Sequence, residues 1–329
     1  MGLAIGGAFA SAWANPTGPT LVKGAALISN PSANVLQVVN TPGTVLHWQG
    51  FSVGAGQTTR FVQQNAASAV LNRVVGANPS SILGRLESNG RVFLINPNGI
   101  VFGGGAVVDV AGLIASTRDI SDANFAAGNY LFSGAGNGGI TVQSGAQILT
   151  SNYGPGGQVW LIGRNVTQEA GSTITAPQGQ VVFAAGTQLQ VAESSLGNMT
   201  FNVTTDGISN ISALGTIAAA RGAVGMFADN ITVGGNLSAD SSSAGRGQIV
   251  MSAADTMTVR DGAVVSTDAT DASQGGVIDL TAGSQIEIQR LASVSADGGA
   301  AGGNGGDIAL TANLLLVSQV ANAGGNLHA

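Results

Sequence analysis

The chain has 329 residues, of which 51 are glycine and 9% are charged, and its formal net charge is −6. Glycine is about twice as frequent as the usual ~7%, whereas charge is far scarcer than usual. A single lysine and scattered arginines form no basic stripe, which excludes a surface that neutralises nucleic-acid phosphates. The absence of cysteine excludes disulfides and thiolate metal sites. Abundant small and β-branched apolar residues, with many turn formers, predict an all-β protein.

The first residues differ from the rest of the chain. Residues 1–14 are small and apolar and end in Ala12-Trp13-Ala14, a pattern typical of signal-peptide cleavage. Because no basic region precedes them, we interpret residues 1–14 as the remnant of a signal peptide, with an ordinary buried segment as the alternative. Residues 15–60 contain much valine and threonine but few repeated glycines. We predict that they form an N-terminal β cap, because the end of a repetitive β structure must be covered.

The next segment contains one ambiguous stretch and one strong turn. Residues 63–75 have apolar residues at helical spacing, but the alternation of Val70, Asn72 and Val74 favours a strand. Further on, Asn96-Pro97-Asn98-Gly99 separates two apolar runs and matches the residue preferences of a type I β-turn. On residue type alone, we interpret this turn as a rigid corner between two buried strands rather than as a ligand site.

From residue 140 onward, a glycine followed by alternating apolar and small residues returns repeatedly. The repeated glycines are Gly157, Gly179, Gly222, Gly247, Gly276 and Gly306, at steps of 22, 43, 25, 29 and 30 residues. We interpret the 43-residue step as two short periods with one degenerate copy. Two further strand-like sequence motifs recur with the same period as the first; examples begin at Asn165 and Gly145. Three short strands per period predict a parallel β-helix of roughly ten to twelve coils.

A series of ordered motifs identifies a family. The motifs are Leu71-Asn72-Arg73-Val74, Ile82-Leu83-Gly84, Gly90-Arg91-Val92, the run from Ile95 to Ile100, and the run from Gly112 to Thr117. Together they resemble the haemagglutination-activity, or two-partner secretion (TPS), domain of the filamentous-haemagglutinin family of exoproteins. Within that family, the sequence is most similar to the branch of high-molecular-weight adhesins and haem–haemopexin-binding exoproteins.

The resemblance implies a right-handed parallel β-helix with an N-terminal cap. It implies a secretion domain over residues 61–255, with further repeats of the exoprotein over residues 256–329. It also implies export to the medium or the bacterial surface, via the periplasm and a TpsB-type outer-membrane β-barrel transporter with POTRA domains. The implied secretion motif consists of Asn96, Pro97, Asn98, Gly99 and Ile100, with Asn72, Arg73, Gly84, Gly90 and Arg91 as associated residues. We expect a monomer without a cofactor, with a host-cell receptor or glycan as a further partner.

Several alternatives remain open at this point. A haem-acquisition protein, a contact-dependent inhibition toxin or a cytolysin could carry the same secretion domain, and would differ beyond residue 329. A carbohydrate-active β-helix enzyme would need paired carboxylates, but Asp229, Asp255 and Asp279 lie at different offsets from their glycines, so we predict no catalytic residues. Residues 302–310 resemble a calcium-binding nonapeptide only once, and we expect a flexible corner there. Because His47 and His328 are isolated, we predict no metal site.

Overall fold

The structure is a computed structural model that describes residues 15–134, 136–192, 200–320, 323–324 and 326–328. The predicted signal-peptide remnant, residues 1–14, therefore lies outside the described residues. The first part of the chain forms β1 (Thr20–Lys23), β2 (Ala26–Ser32), β3 (Val35–Asn40), β4 (Thr44–Trp48), β5 (Thr58–Val62), β6 (Ala69–Val74), β7 (Ser80–Ile82), β8 (Arg85–Ile95), β9 (Ile100–Phe102) and β10 (Val107–Ser116).

The middle part of the chain adds the one α-helix of the described residues. It contains α1 (Asp122–Ala127), β11 (Leu131–Phe132), β12 (Ile140–Val142), β13 (Gln147–Leu149), a 3-10 helix (Ser151–Tyr153), β14 (Gln158–Gly163), β15 (Asn165–Gln168), β16 (Thr173–Thr175), β17 (Gln180–Ala185), β18 (Gln188–Ala192) and β19 (Thr200–Thr204). The last part contains β20 (Asn210–Ala213), β21 (Thr216–Ala218), β22 (Ala223–Val233), β23 (Asn236–Ser238), β24 (Gln248–Val259), β25 (Val264–Ser266), β26 (Val277–Ala282), β27 (Gln285–Ile288), β28 (Ser293–Ser295), β29 (Asp307–Thr311), β30 (Leu314–Val317), β31 (Gln319–Val320), β32 (Ala323–Gly324) and β33 (Asn326–His328).

Parallel pairing between these strands forms a stack of coils with three faces. Along the chain, each coil contributes its strands to the three faces in the same order. Face 1 comprises β3, β5, residues 85–88 of β8, residues 107–110 of β10, β13, β16, β21, β23, β25, β28 and β33. Face 2 comprises β4, β6, residues 91–95 of β8, residues 112–116 of β10, β14, β17, residues 223–228 of β22, residues 248–253 of β24, β26 and β29. Face 3 comprises β7, β9, β12, β15, β20, residues 230–233 of β22, residues 256–259 of β24, β27 and β30. This arrangement confirms the predicted parallel β-helix with three strands per coil.

The repeated glycines mark one position in successive coils. Gly157 and Gly179 each precede a strand of face 2, and the residues after them pair in register as Gln158 with Gln180. Neighbouring backbones approach closely here, because a Cβ added to Gly179 would overlap the carbonyl oxygen of Gly157. Only glycine fits such an approach without a backbone shift. The glycine that begins the repeated motif is therefore a steric requirement for stacking one coil on the next.

The interpretation of the 43-residue step between Gly179 and Gly222 as two periods is wrong. Strand β17 pairs directly with β22, Gln180 facing Ala223, so the step is a single coil. The extra residues leave the coil and form the antiparallel pair β18–β19. An inserted hairpin with alternating apolar residues resembles a weak repeat in sequence, which explains the error.

Antiparallel strands cover the free edges of β3 and β4, the first strands of the β-helix. Strand β1 pairs with β4, and β2 pairs with β3, each in the antiparallel sense. Parallel winding already begins with β3 and β5. Residues 63–75 contain strand β6 and no helix, so the favoured strand prediction is confirmed.

Two apolar clusters hold the coils together. The main core fills the interior of the β-helix along its described length. A second cluster lies outside face 2, where Phe93, Ile114 and Trp160 occupy one outward-facing column in register. Helix α1 and the small sheet of β11, β18 and β19 supply Phe125, Phe132 and Leu189 to this second cluster. The face 2 strands under this second cluster, from β8 to β17, are therefore buried on both sides, which accounts for their continuous apolar runs.

Candidate functional site: the Asn96–Gly99 turn and its neighbours

The turn closes as a hydrogen-bonded corner between faces 2 and 3. The Gly99 amide donates to the Asn96 carbonyl at 3.1 Å, as a β-turn requires. The Asn96 side chain is fully buried. Its Nδ2 donates to the carbonyl of Asn78 at 3.0 Å and to Ser80 Oγ at 2.9 Å, and its Oδ1 accepts from the Asn98 amide at 3.0 Å. Asn96 therefore binds both its own turn and the preceding coil.

The rest of the turn contacts the coils on both sides. Asn98 is exposed, and its Nδ2 donates to the carbonyl of Gly76 at 2.9 Å in the preceding coil. The carbonyl of Pro97 accepts from the amide of Gly138 at 3.1 Å in the following coil. A Cβ on Gly138 would overlap the backbone of Gly99, so the following coil lies directly against the turn. The turn thus joins three consecutive coils.

Ile100 has a different role from the four turn residues. It is the first residue of β9 and is fully buried in the main core. The backbone reaches this strand through Gly99, whose φ of +119° disfavours any residue with a side chain. Together they direct the chain from the corner into face 3.

Arg73 links the first coils to α1. Its Nε donates to Asp119 at 2.9 Å, and its terminal nitrogens donate to Asp122 at 2.8 Å and to the carbonyl of Ile120 at 2.6 Å. His47 Nε2 lies 2.9 Å from Arg73 Nη1, the nitrogen that also donates to Asp122. Burial lowers the pKa of Arg73, but the hydrogen bonds and charges of the two aspartates outweigh it and raise the pKa above its ordinary value. Arg73 therefore stays charged and holds the α1 segment against face 2.

The other predicted motif residues support local packing. Asn72 occupies an inward position, where its Oδ1 accepts from Trp48 Nε1 at 2.9 Å and its Nδ2 donates to the Phe93 carbonyl at 3.2 Å. Arg91 donates to the carbonyl of Ala67 at 2.8 Å and to the hydroxyl of Tyr130 at 3.2 Å. These contacts fix neighbouring coils to one another.

Gly84 and Gly90 are required by close approach. A Cβ on Gly84 would overlap the carbonyl oxygens of Gly54 and Gln57, and one on Gly90 would lie 2.6 Å from the amide of Gln63. The structure therefore places all ten predicted residues within the first coils, but only Asn96 to Ile100 form the corner itself.

Sequence reasoning missed Arg118, which lies just after β10. Its side chain is 4% exposed, and it donates to the carbonyls of Gly186 at 2.9 Å and Gly134 at 2.8 Å. Burial lowers the pKa of Arg118 from its ordinary value. These bonds hold two excursions, that is, segments that leave the β-helix. One is the segment of α1 and β11, held at Gly134, and the other is the β18–β19 hairpin, held at Gly186. The sequence did contain a signal for a buried, bonded arginine: Arg118 stands alone just after an apolar strand in a chain with few charges.

The acidic residues considered for catalysis do not form a pair. Asp229 is 3% exposed and accepts from the amide and hydroxyl of Ser209 at 2.9 and 2.8 Å. Burial raises the pKa of Asp229, but hydrogen bonds from Thr205, Ser209 and Gly207 outweigh it and leave the pKa below the ordinary 3.8. An ionised, fully bonded carboxylate cannot serve as a general acid. Among the described residues, no three His, Asp or Glu side chains converge as a metal site requires.

Asp229 gives a pH-dependent prediction. Since its folded pKa is depressed, its stabilising effect is present above its unfolded pKa and is lost as pH falls through the folded value. We expect Asp229→Asn to lower the free energy of unfolding by about 1–3 kcal/mol at neutral pH. The difference from wild type should shrink at acidic pH, below the ordinary aspartate pKa of 3.8. Urea unfolding of both proteins at several pH values measures this.

The control is Asp255→Asn, because Asp255 is exposed on β24. This variant should match wild type across the pH range. A difference between wild type and Asp229→Asn that is constant with pH would contradict the assigned role of the Asp229 charge.

The described residues contain no helix that is both long and apolar enough to span a membrane. What they do contain is a capped parallel β-helix whose polar motif joins consecutive coils. The family described as the TPS secretion domain matches residues 12–310, and the chain belongs to this family. The resemblance drawn from the sequence motifs is thereby confirmed.

Relatives and a solved structure agree with this assignment. The chain is 40% identical over 115 residues to a heme/hemopexin-binding protein of Haemophilus influenzae, and 34% identical over 128 residues to a second protein of that name from the same species. The matched regions span 35% and 39% of this chain but 13% and 14% of those proteins. The crystal structure of the HMW1 secretion domain from Haemophilus influenzae superposes with a TM-score of 0.73, at 22% identity, over 95% of this chain and 99% of that chain. This last similarity shows the fold.

Membership of the family defines the setting in which the chain works. It is a TPS secretion domain, the domain of a family of exoproteins that are secreted or displayed at the cell surface by the two-partner pathway. Its partner in that pathway is a cognate TpsB transporter in the outer membrane.

Proposed function

We propose that the Asn96–Gly99 turn serves export by fixing the first coils of the β-helix, and that the transporter does not read the turn as a bare sequence. The burial of Asn96 carries this proposal, because a fully buried amide offers a partner little to contact. Its bonds to Asn78 and Ser80, and the bond from Gly138 to Pro97, are contacts between coils. Asn98 is the exposed member of the turn.

We further propose that the domain nucleates folding outside the cell. Residues 15–60 act as the cap, residues 61–255 as the secretion domain, and residues 256–329 as continuing repeats. A solenoid grows by nearest-neighbour stacking, because each new coil buries its apolar face against the coil before it. Folding at the exit of the transporter therefore favours outward movement. The absence of cysteine is compatible with this route, since no disulfide can obstruct an unfolded chain.

We infer no catalytic activity for the domain. The bonded state of Asp229 supports this inference, as does the family of secretion domains to which the chain belongs. The exported protein is proposed to be a monomeric adhesin that binds a host receptor or glycan. Haem acquisition is the second candidate, favoured by the two relatives named heme/hemopexin-binding protein. Binding of hemin and of hemopexin to the whole exoprotein separates these two candidates.

Co-expression with the cognate transporter tests the secretion function. The chain is produced behind a general secretory signal peptide fused before Asn15, with and without the transporter. We expect the folded domain in the medium only when the transporter is present, and in the periplasm otherwise. Equal release in both strains would overturn the proposal.

A further inference from the structure

A groove runs along the corner between faces 1 and 2, away from the corner that carries the Asn96–Gly99 turn. It consists of two adjoining cavities of about 480 and 330 Å³ that share Pro155 and Gly156 in their walls. Each volume lies within the range of known small-molecule sites. Its lining consists of glycine, alanine and proline together with glutamine, arginine and Tyr153 side chains, so these larger polar side chains determine its chemistry.

The backbone along this groove has an unusual conformation. The residues that precede three successive face 2 glycines are Gly156, Gln178 and Arg221, with φ angles of +86°, 55° and 58°. Glycine adopts this left-handed conformation readily, but glutamine and arginine do not. Gln178 and Arg221 are two of the three non-glycine residues with positive φ in the described part of the chain. Unfavourable backbone conformations of this kind cluster at binding sites.

Two arginines of the groove, Arg91 and Arg221, form no ion pair among the described residues; Arg91 donates to the Ala67 carbonyl and the Tyr130 hydroxyl, which leaves Arg221 with the freer guanidinium. Among the described residues, its guanidinium forms neither an ion pair nor a side-chain hydrogen bond. The neighbouring Arg246, by contrast, donates to the carbonyl of Gly275 at 3.1 Å and pairs with Asp307 at 3.1 Å. A planar guanidinium with free donors matches a carboxylate in two-point fashion.

Glutamine amides line the wall beside Arg221. Gln158 and Gln180 pair in register, and Gln248 follows two coils beyond Gln180, with the small Ala223 between them. The Oε1 atoms of Gln158 and Gln180 are buried and have no hydrogen-bond partner among the described residues. Because these Oε1 atoms are closed to solvent, a ligand in the groove meets the row through the Nε2 donors, which suit the oxygens of hydroxyl groups.

We propose that this groove binds an oligosaccharide bearing sparse carboxylates, with Arg221 pairing with a carboxylate and the glutamine amides binding hydroxyl groups. Gln158 and Gln180 are separated by one strand spacing of about 4.8 Å, and Gln248 lies two spacings beyond Gln180, so the row suits an extended ligand. Tyr153 is the one aromatic side chain in the lining of the two cavities, and no Leu, Ile, Val, Met, Phe or Trp lines them, so the groove offers few anchors for apolar peptide side chains. Two arginines without an ion pair, on a chain of net charge −6, do not favour a densely charged polyanion.

Binding to the purified 329-residue chain tests this proposal without the transporter, so it fails or succeeds independently of the secretion function. Calorimetry compares three ligands. A hyaluronan hexasaccharide carries alternating carboxylates, maltohexaose carries hydroxyl groups alone, and a heparin hexasaccharide carries dense negative charge. We expect hyaluronan to bind about tenfold or more tightly than maltohexaose, since a charge-assisted bond contributes at least a tenfold change in affinity. Absence of hyaluronan binding, or equal binding of maltohexaose, would overturn the proposal.

Variants of Arg221 supply the matched controls. Arg221→Gln should weaken hyaluronan binding about tenfold or more, whereas Arg260→Gln, the same charge change at an exposed site outside the groove, should leave it unchanged. Arg221→Gly relieves the positive φ and should lose binding while keeping or raising the melting temperature. Equal losses in Arg221→Gln and Arg260→Gln, or heparin binding tighter than hyaluronan, would show diffuse charge attraction and contradict the assigned site.

Discussion

Asn96→Ala is expected to lower the free energy of unfolding by about 2–4 kcal/mol and to reduce export in proportion. The substitution removes four hydrogen bonds of a fully buried amide and leaves the Asn78 carbonyl and Ser80 hydroxyl without this partner. Each buried polar group left unsatisfied costs about 1–3 kcal/mol. Urea unfolding measures the stability, and the amount of protein in the medium of a transporter-bearing strain measures export.

Asn98→Ala is the matched control within the same turn. Asn98 is exposed and loses chiefly its bond to the Gly76 carbonyl, so we expect at most about 1 kcal/mol of destabilisation and near-normal export. If Asn98→Ala abolished export at wild-type stability, the exposed side chain would be recognised by a partner. That result would contradict the folding role proposed for the turn.

Trp160→Ala is expected to have the largest effect on stability, about 3–5 kcal/mol. Trp160 is 1% exposed in the outer apolar cluster, and its ring packs edge-on against Tyr130 and Phe201 at centroid distances of 5.3 and 6.2 Å. Removing it separates face 2 from the two excursions that cover it. Hydrogen exchange should show loss of amide protection in α1 and β18 before any loss in the coils.

Phe227→Ala provides the comparison, because Phe227 is half-buried at the far end of the same aromatic row, 5.1 Å from Phe201. We expect a smaller loss of about 1–2 kcal/mol, since less apolar area leaves contact. Equal losses in both variants, or loss of protection across all coils of Trp160→Ala at once, would mean that the outer cluster is not a separate layer.

The periodic part of the fold was predictable because stacking imposes a local rule. From β14 onward, each face 2 strand begins after a glycine with a neighbouring backbone in close approach, and Gly157 and Gly179 show this requirement directly. The rule cannot distinguish a degenerate coil from an insertion. The excursion at β18–β19 therefore escaped prediction, since its alternation matches that of a coil strand.

The candidate site was predictable only in part, for a similar reason. The backbone preferences of the turn residues predicted a corner, and the structure contains that corner. The contacts that give the corner its importance come from Asn78, Ser80 and Gly138, which are distant in sequence and carry no local signal. Arg118 likewise acts through carbonyls 16 and 68 residues away.

The central claim is that the motif supports export by building the first coils. The most direct test compares Asn96→Ala with Ile174→Ala, a fully buried core residue of β16 outside the motif, whose loss should destabilise the protein by a similar 2–4 kcal/mol, roughly. Urea unfolding at several temperatures identifies one at which the two variants have equal free energies of unfolding. Export of both variants is then measured at that temperature. We expect equal losses of export. Normal export of Ile174→Ala beside blocked export of Asn96→Ala would contradict the claim and assign the turn to recognition by the transporter.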